Sequence, residues 1–280
     1  MKNILLWLLA AVMTACSAGQ QSAKKTDLDK AGLKGRVKSV KEFRYKAVEK
    51  PGEMTGEEIL FAFDKYDKKG NVTERNSCNT DGRGSKYTYE YDGKENMIEI
   101  LHDDNDGRIL SKCTYEYDEK GYLMKENIHE SSDGIYVNTY KYDEKGKKIA
   151  VNRYNPDGRL YWTFAWKYDE KGNTIEESGS CPDGEYTYKY KYDENGNRTE
   201  SSVYTSDGSS NEKSTYEYDE KGNIIEKINY NDAYIDGKLG WKYTYKYDRQ
   251  GNWIEKTTKY KDESSKSGEP NIIRRKIEYY

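Results

Sequence analysis

The stretch TYEYDEKGNIIEK, Thr215 to Lys227, decides the fold, because its opening TYEYDEKG already stands at Thr114 to Gly121. An alternating run, TYEY, enters a turn, DEKGN, and leaves as a β-permissive run, IIEK. The dipeptide YD recurs at Tyr66, Tyr91, Tyr117, Tyr142, Tyr168, Tyr192, Tyr218 and Tyr247, with spacings of 25, 26, 25, 26, 24, 26 and 29 residues. Between the copies stands a second turn signal, DG, at Asp81, Asp106, Asp133, Asp157, Asp183, Asp207 and Asp236. Each period therefore holds two turns and two runs, a hairpin written eight times.

The turn has a mechanism. In YDEKGN the Asp side chain accepts backbone N–H groups of the loop, and Gly supplies the left-handed residue that closes a bulged hairpin. Hairpins joined edge to edge make a meander of about sixteen antiparallel strands. With Asp opposite the Gly-Asn pair, Tyr117 is expected across from Leu123 and Tyr115 across from Lys125. All YD tyrosines then share one face. The same parity adds Trp162, Phe164 and Trp166 beside Tyr168, places Trp241 with Tyr247, and sets Trp253 opposite Tyr247. The other face carries Thr, Glu and Lys, with Ile98, Ile175, Ile225 and Ile254.

Composition supports thin, amphipathic packing rather than a large aliphatic core. Hydrophobic residues are 34% and charged residues 35%, with Tyr at 29 and Phe at 4, and mean hydropathy is -1.17. Disordered chains are poor in aromatic and β-branched residues, whereas here both recur at fixed places. The formal net charge is -3 with both signs interspersed, so neither nucleic acid nor a cation store is indicated. The expected fold is all-β, one long antiparallel sheet that twists and coils on itself. A lipid-spanning barrel is not expected, since Glu, Lys and Thr interrupt one face and Glu stands among the Tyr of the other.

The repeated YDxxGN with its following DG turn resembles the YD repeats, also called RHS repeats, of bacterial surface and toxin-associated proteins. The likeness spans about two thirds of the chain. It implies a repeat-built β wall; large members wind such a sheet into a shell around a toxin domain, for which eight copies are too few. LKGRVKSVKEFRYKAV is similar to the first strand of small repeat lipoproteins, and capping a sheet edge is the role this implies.

The chain opens differently, as MKNILLWLLAAVMTAC. Lys2, an apolar run too short to span a bilayer and small residues before Cys16 read as an export signal. MTAC resembles the lipobox of bacterial lipoproteins, which implies lipidation of Cys16; a plain cleaved signal is the alternative. The expected organisation is a signal over residues 1–15, a tether over 16–27, N-terminal capping strands over 28–60, hairpin repeats over 61–260 and a C-terminal capping strand over 261–280. The expected location is a bacterial membrane, the outer one, with the protein held by its lipid and facing periplasm or cell surface.

Signals for chemistry are sparse. His102 and His129 lie in different repeats without metal-ligand spacing and read as surface strand residues. The YD aspartates stand about 10 Å apart, two strand spacings, too far to converge on calcium. No metal or other cofactor is expected. Cys78 and Cys113 fall three strands apart, and with Cys181 they are expected as free thiols. The functional candidate is the aromatic face, through Tyr161, Trp162, Phe164, Trp166, Trp241 and Trp253, since rings flanked by hydrogen-bonding residues stack on sugars. A non-catalytic binding module for glycans is one expectation. A structural or protein-interaction scaffold of the envelope is another. A carbohydrate-active enzyme would need a convergent carboxylate pair in a pocket. Cys16→Ser is expected to move the protein from the membrane to the soluble fraction, read by detergent-phase partition.

Overall fold

The computed structural model describes residues 25–45, 58–78, 84–104, 106–131, 134–182, 184–231, 237–260 and 271–280. The signal, Cys16 and most of the tether lie outside these. The described chain opens with a single helical turn, α1 (Asp27–Lys30). There follow β1 (Val37–Tyr45), β2 (Glu58–Tyr66), β3 (Val72–Cys78), β4 (Gly84–Tyr91), β5 (Met97–Asp104), β6 (Ile109–Tyr117), β7 (Leu123–Glu130), β8 (Gly134–Tyr142) and β9 (Lys148–Tyr154). The second half holds β10 (Leu160–Tyr168), β11 (Thr174–Cys181), β12 (Gly184–Tyr192), β13 (Arg198–Thr205), β14 (Ser210–Tyr218), β15 (Ile224–Tyr230), β16 (Lys238–Tyr247), β17 (Trp253–Tyr260) and β18 (Asn271–Tyr279).

Strands β2 to β17 are the sixteen that eight hairpins supply, and each pairs antiparallel with its sequence neighbours. The expected open, coiled sheet is not what forms. β1 pairs with both β2 and β18, which closes the sheet into an 18-stranded barrel. The segments expected to cap free edges thus become the closing staves, and among the described strands no edge is left to cap.

The physical reason lies in a bulge that the sequence reading did not count. Tyr117 faces Leu123 as expected, but Glu116 faces Lys125 and Tyr115 faces Glu126, so Met124 is an extra residue. The same shift follows the YD tyrosine at Tyr66, Tyr91, Tyr142, Tyr168, Tyr192, Tyr218 and Tyr247. A bulge bends its strand and increases twist. Eight of them in the same sense curl the sheet until its ends meet, and closure removes the unpaired edge N–H and C=O groups.

The turns form as their residues demand. Asp118 Oδ1 accepts from the N–H groups of Lys120 at 3.0 Å and Tyr122 at 2.8 Å, and Gly121 closes the loop at φ +84°. Where Asn follows Gly, as at Asn173, its amide donates to Asp169 Oδ2 at 2.9 Å. These bonds hold the Asp169 and Asp193 carboxyls below the usual aspartate value, the Asn amide being the largest cause.

Closure turns the tyrosine face inward. Tyr66, Leu123, Ile128, Tyr140, Val151 and Trp162 on that face are buried, whereas the side chains of Lys167, Lys191 and Lys246 on the other are 71–72% exposed. The two buried clusters each gather side chains from a run of adjacent staves, one around β1 and β18 and the other from β6 to β11. Inside, a ladder of phenols runs around one rim. Tyr91, Tyr117, Tyr142, Tyr168, Tyr192 and Tyr218 each donate to the carbonyl that opens the second strand of the preceding hairpin: Val72, Met97, Leu123, Lys148, Thr174 and Arg198, at 2.6–2.9 Å. The accepting residue stands immediately before the bulged one.

The N-terminal segment straps the seam at this rim. Leu28 is buried in one cluster with Val72, Tyr66 and Val40, and Asp27 Oδ2 accepts from Val72 N at 3.1 Å and shares the one Tyr91 phenolic proton with the Val72 carbonyl, each 2.8 Å from Oη. Farther on, Lys34 exchanges two hydrogen bonds with the Asn252 side chain. Tyr192→Phe is expected to cost about 1 kcal/mol by leaving the Thr174 carbonyl without its phenol. Gly196→Ala, at φ +83°, should cost about 1–2 kcal/mol through left-handed strain. Urea unfolding of each variant checks both.

Candidate binding site

The six aromatic candidates all sit in the barrel wall, but in two places. Tyr161, Trp162, Phe164 and Trp166 belong to β10, whereas Trp241 is on β16 and Trp253 on β17, six and seven strands away. The wall therefore offers two aromatic regions of different character.

Around β10 the rings are packed. Trp162 is 4% exposed and sits with Leu123, Tyr140 and Val151. Phe164 meets it edge-on at 5.2 Å, and the Arg153 guanidinium lies 5.1 Å from its ring centre. A bulge between Leu160 and Trp162 lets Tyr161 pack against the same cluster. Trp166 is met by Lys148 Nζ at 4.4 Å. Phe164 lies over Gly179, where a Cβ would come within 2.6 Å of the ring, so the strand glycine is the seat of the phenyl group. Trp162, the centre of the cluster that departs most from its sister repeats, is thus a core residue.

The polar floor of this region is Glu126, 2% exposed. Its carboxylate accepts from Asn138 Nδ2 at 2.6 Å and Tyr140 Oη at 2.8 Å. Arg153 donates to the other end of Asn138 at 2.9 Å. A buried carboxylate with two donors, one of them held in turn by Arg153, is a hydrogen-bonded network that fixes the wall. Burial, and then the Glu126 charge, hold the Tyr115 and Tyr140 phenols far above the ordinary tyrosine value.

Around β14 to β18 the wall is open. The 29-residue spacing ending at Tyr247 shifts β16, so that Tyr245 rather than Tyr247 takes the ladder position, donating to Ile224 O at 2.9 Å. Tyr247 instead reaches the turn below, donating to Asp219 Oδ2 at 2.7 Å and accepting from Asn223 Nδ2 at 2.8 Å. Beside this slip lies a cavity of about 310 Å³ lined by Tyr218, Asn223, Ile224, Tyr243, Tyr245, Trp253 and Lys256 among others. Among the described residues no carboxylate lines it. Trp241 stands at the neighbouring wall position, its ring centre 6.2 Å from that of Tyr260.

Two cations face this region. Lys256 Nζ lies 4.4 Å from the Tyr243 ring centre and 5.8 Å from that of Tyr245. Burial, with the Arg275 charge beside it, holds its ammonium below the usual lysine value. Arg275 sits 3.4 Å from the Trp253 ring centre and donates from Nε to Glu42 at 2.7 Å. Lys256, Arg275 and Glu42 were not singled out by the sequence. The one signal that marks the place is the long final spacing.

The remaining titratable candidates are placed as follows. His102 is not a surface residue: it stacks on Tyr87 at 4.3 Å inside the wall, with Nε2 buried and without a partner. Burial lowers its pKa. Cys78, Cys113 and Cys181 are free thiols, and burial pushes Cys113 up to about 12. Each YD aspartate in a described turn serves its own loop, and among the described residues no group of three or more His, Cys, Asp or Glu could hold a metal ion.

Fold and wall together define a closed, repeat-built β-barrel with an aromatic lumen. No family model and no curated protein sequence matches the chain. Similar solved structures include a porin-like protein from Bacteroides uniformis, at 13% identity and TM-score 0.45, covering 86% of this chain and 96% of that one. The TcdB2-TccC3-Cdc42 complex is similar at 14% identity and TM-score 0.43, over 77% of this chain and 13% of that one. The Photorhabdus luminescens Tc holotoxin pore matches at 11% identity and TM-score 0.33, over 81% and 17%. At such identity these likenesses carry no assignment of function.

The phenols make the barrel sensitive to alkali. The unfolded chain loses its tyrosine protons near 10.0, whereas burial holds Tyr89, Tyr168 and Tyr245 up to about 12. The native state then binds more protons, so stability is fully present below pH 10 and falls as pH rises from there towards 12. Melting temperature against pH, with tyrosinate absorbance recorded in parallel, should show loss of structure coinciding with phenol ionisation.

Proposed function

We propose that this chain is a non-catalytic module of the bacterial cell envelope, related to YD-repeat proteins and held to the membrane through a lipid on Cys16. Its lumen binds saccharides through the aromatic wall of β14 to β18. The observation that carries this reading is the open cavity beside Tyr243, Tyr245 and Trp253, where rings and hydrogen-bonding groups together suit a sugar. Trp241 lies at its flank, and the packed Tyr161, Trp162, Phe164 and Trp166 stiffen a separate part of the same wall.

The outer surface fits an envelope protein that does not face lipid. Lys167–Glu176, Lys191–Glu200 and Lys246–Glu255 are cross-strand ion pairs at 2.6–3.0 Å on that surface, which breaks any lipid-compatible band. A second reading, a protein-interaction scaffold, is favoured by one observation. Ile98, Met124, Ile149 and Ile175, at bulge positions of alternate strands, are 36–42% exposed on the outside, a row spaced at about 10 Å that a partner of matching repeat would cover.

Titration of the full chain with envelope polysaccharides is expected to quench tryptophan emission saturably, and Trp253→Phe to remove most of the change. A flat titration across a broad glycan panel, together with a stoichiometric protein partner on co-purification, would decide for the scaffold.

A further inference from the structure

The cavity at the slipped repeat contains an imbalance of charge. Lys256 reaches it from β17, and among the described residues no carboxylate lies within ion-pair distance of its ammonium. Its described neighbours include the faces of Tyr243 and Tyr245 and the Arg275 guanidinium. The anion whose charge acts on it, Glu42, is already engaged by Arg275 at 2.7 Å. One point charge, partly withdrawn from water and held beside aromatic rings, is therefore left for a ligand.

The chemistry of that ligand can be narrowed. A neutral sugar would cover the ammonium without answering it, which costs desolvation of a charge. A phosphate is best met by a guanidinium fork, and the fork here is committed to Glu42 and Trp253. A single carboxylate matches a single ammonium, and the ring that carries it meets Trp253 and Tyr245, whose centres stand 6.2 Å apart at 61°.

We propose that this pocket binds a uronic acid unit of an acidic polysaccharide, its ring packed against Trp253 and Tyr245 and its carboxylate on Lys256 Nζ. The inference rests on the saccharide-binding reading above and specifies the chemical class of the sugar. The slip of β16 sets this place apart from the regular repeats, since Tyr245 takes the ladder position that the YD tyrosine fills elsewhere and Tyr247 turns to Asp219.

The test is calorimetric titration of the full chain with oligomers of galacturonic, glucuronic and mannuronic acid, their neutral counterparts and acetate. At least one uronide is expected to bind about tenfold or more tighter than its neutral counterpart. Lys256→Gln should erase that advantage by lowering uronide affinity about tenfold. The variant removes a desolvated charge, so its near-ultraviolet circular dichroism should match the parent's. On the unmodified chain, uronide affinity should fall with added salt and neutral-sugar affinity should not. Equal binding of uronides and neutral sugars with Lys256→Gln silent overturns this inference and leaves the broader reading standing. Acetate binding as tightly as the uronide overturns the role of the ring. Failure of every saccharide overturns both.

Discussion

Everything in this wall depends on what is done with one carbonyl per hairpin. The bulge after each YD tyrosine disturbs the ladder at the first residues of the second strand, and a disturbed carbonyl facing a barrel interior is costly unless it finds a donor. The phenol of the next hairpin supplies it, at Val72, Met97, Leu123, Lys148, Thr174 and Arg198 in turn. The tyrosine of six of the eight repeats thus serves the repeat before it, and Tyr245 stands in for Tyr247. That single contact explains why the residue is Tyr rather than Phe, why it abuts the turn, and why the repeats stack in one register.

The same contact shows what was legible in the sequence. Turn residues, strand parity, the shared face of the four lumen tryptophans and the sixteen repeat strands follow from alternation and from the chemistry of Asp and Gly. Closure did not follow. A bulge at Met124 or Ile149 leaves no mark in the hydrophobic pattern, because Met or Ile suits either face there, and curvature accumulates from exactly such unmarked residues. The pairing of β1 with β18 joins segments more than two hundred residues apart, and no local signal announces it.

Legibility of the site failed for a related reason. Departure from the repeat in residue type drew attention to YWTFAWKY, yet departures of type inside a ring are mostly answers to packing, as Phe164 over Gly179 shows. Departure in spacing was the more informative clue. A change of length shifts a strand against its neighbours and moves every contact along it, so that Tyr245 inherits the place of a YD tyrosine beside a cavity that Trp253 and Lys256 also border.

Antiparallel closure of β1 on β18 also sets how such a ring can change size over evolutionary time. Losing or gaining one strand would force a parallel seam, whereas duplicating a whole YD unit preserves the direction of every stave. The circumference can therefore grow only in steps of two strands, about 10 Å each, or about 3 Å in diameter. Lumen width in this architecture is a counted quantity, adjustable by copying a hairpin without redesigning any contact within it.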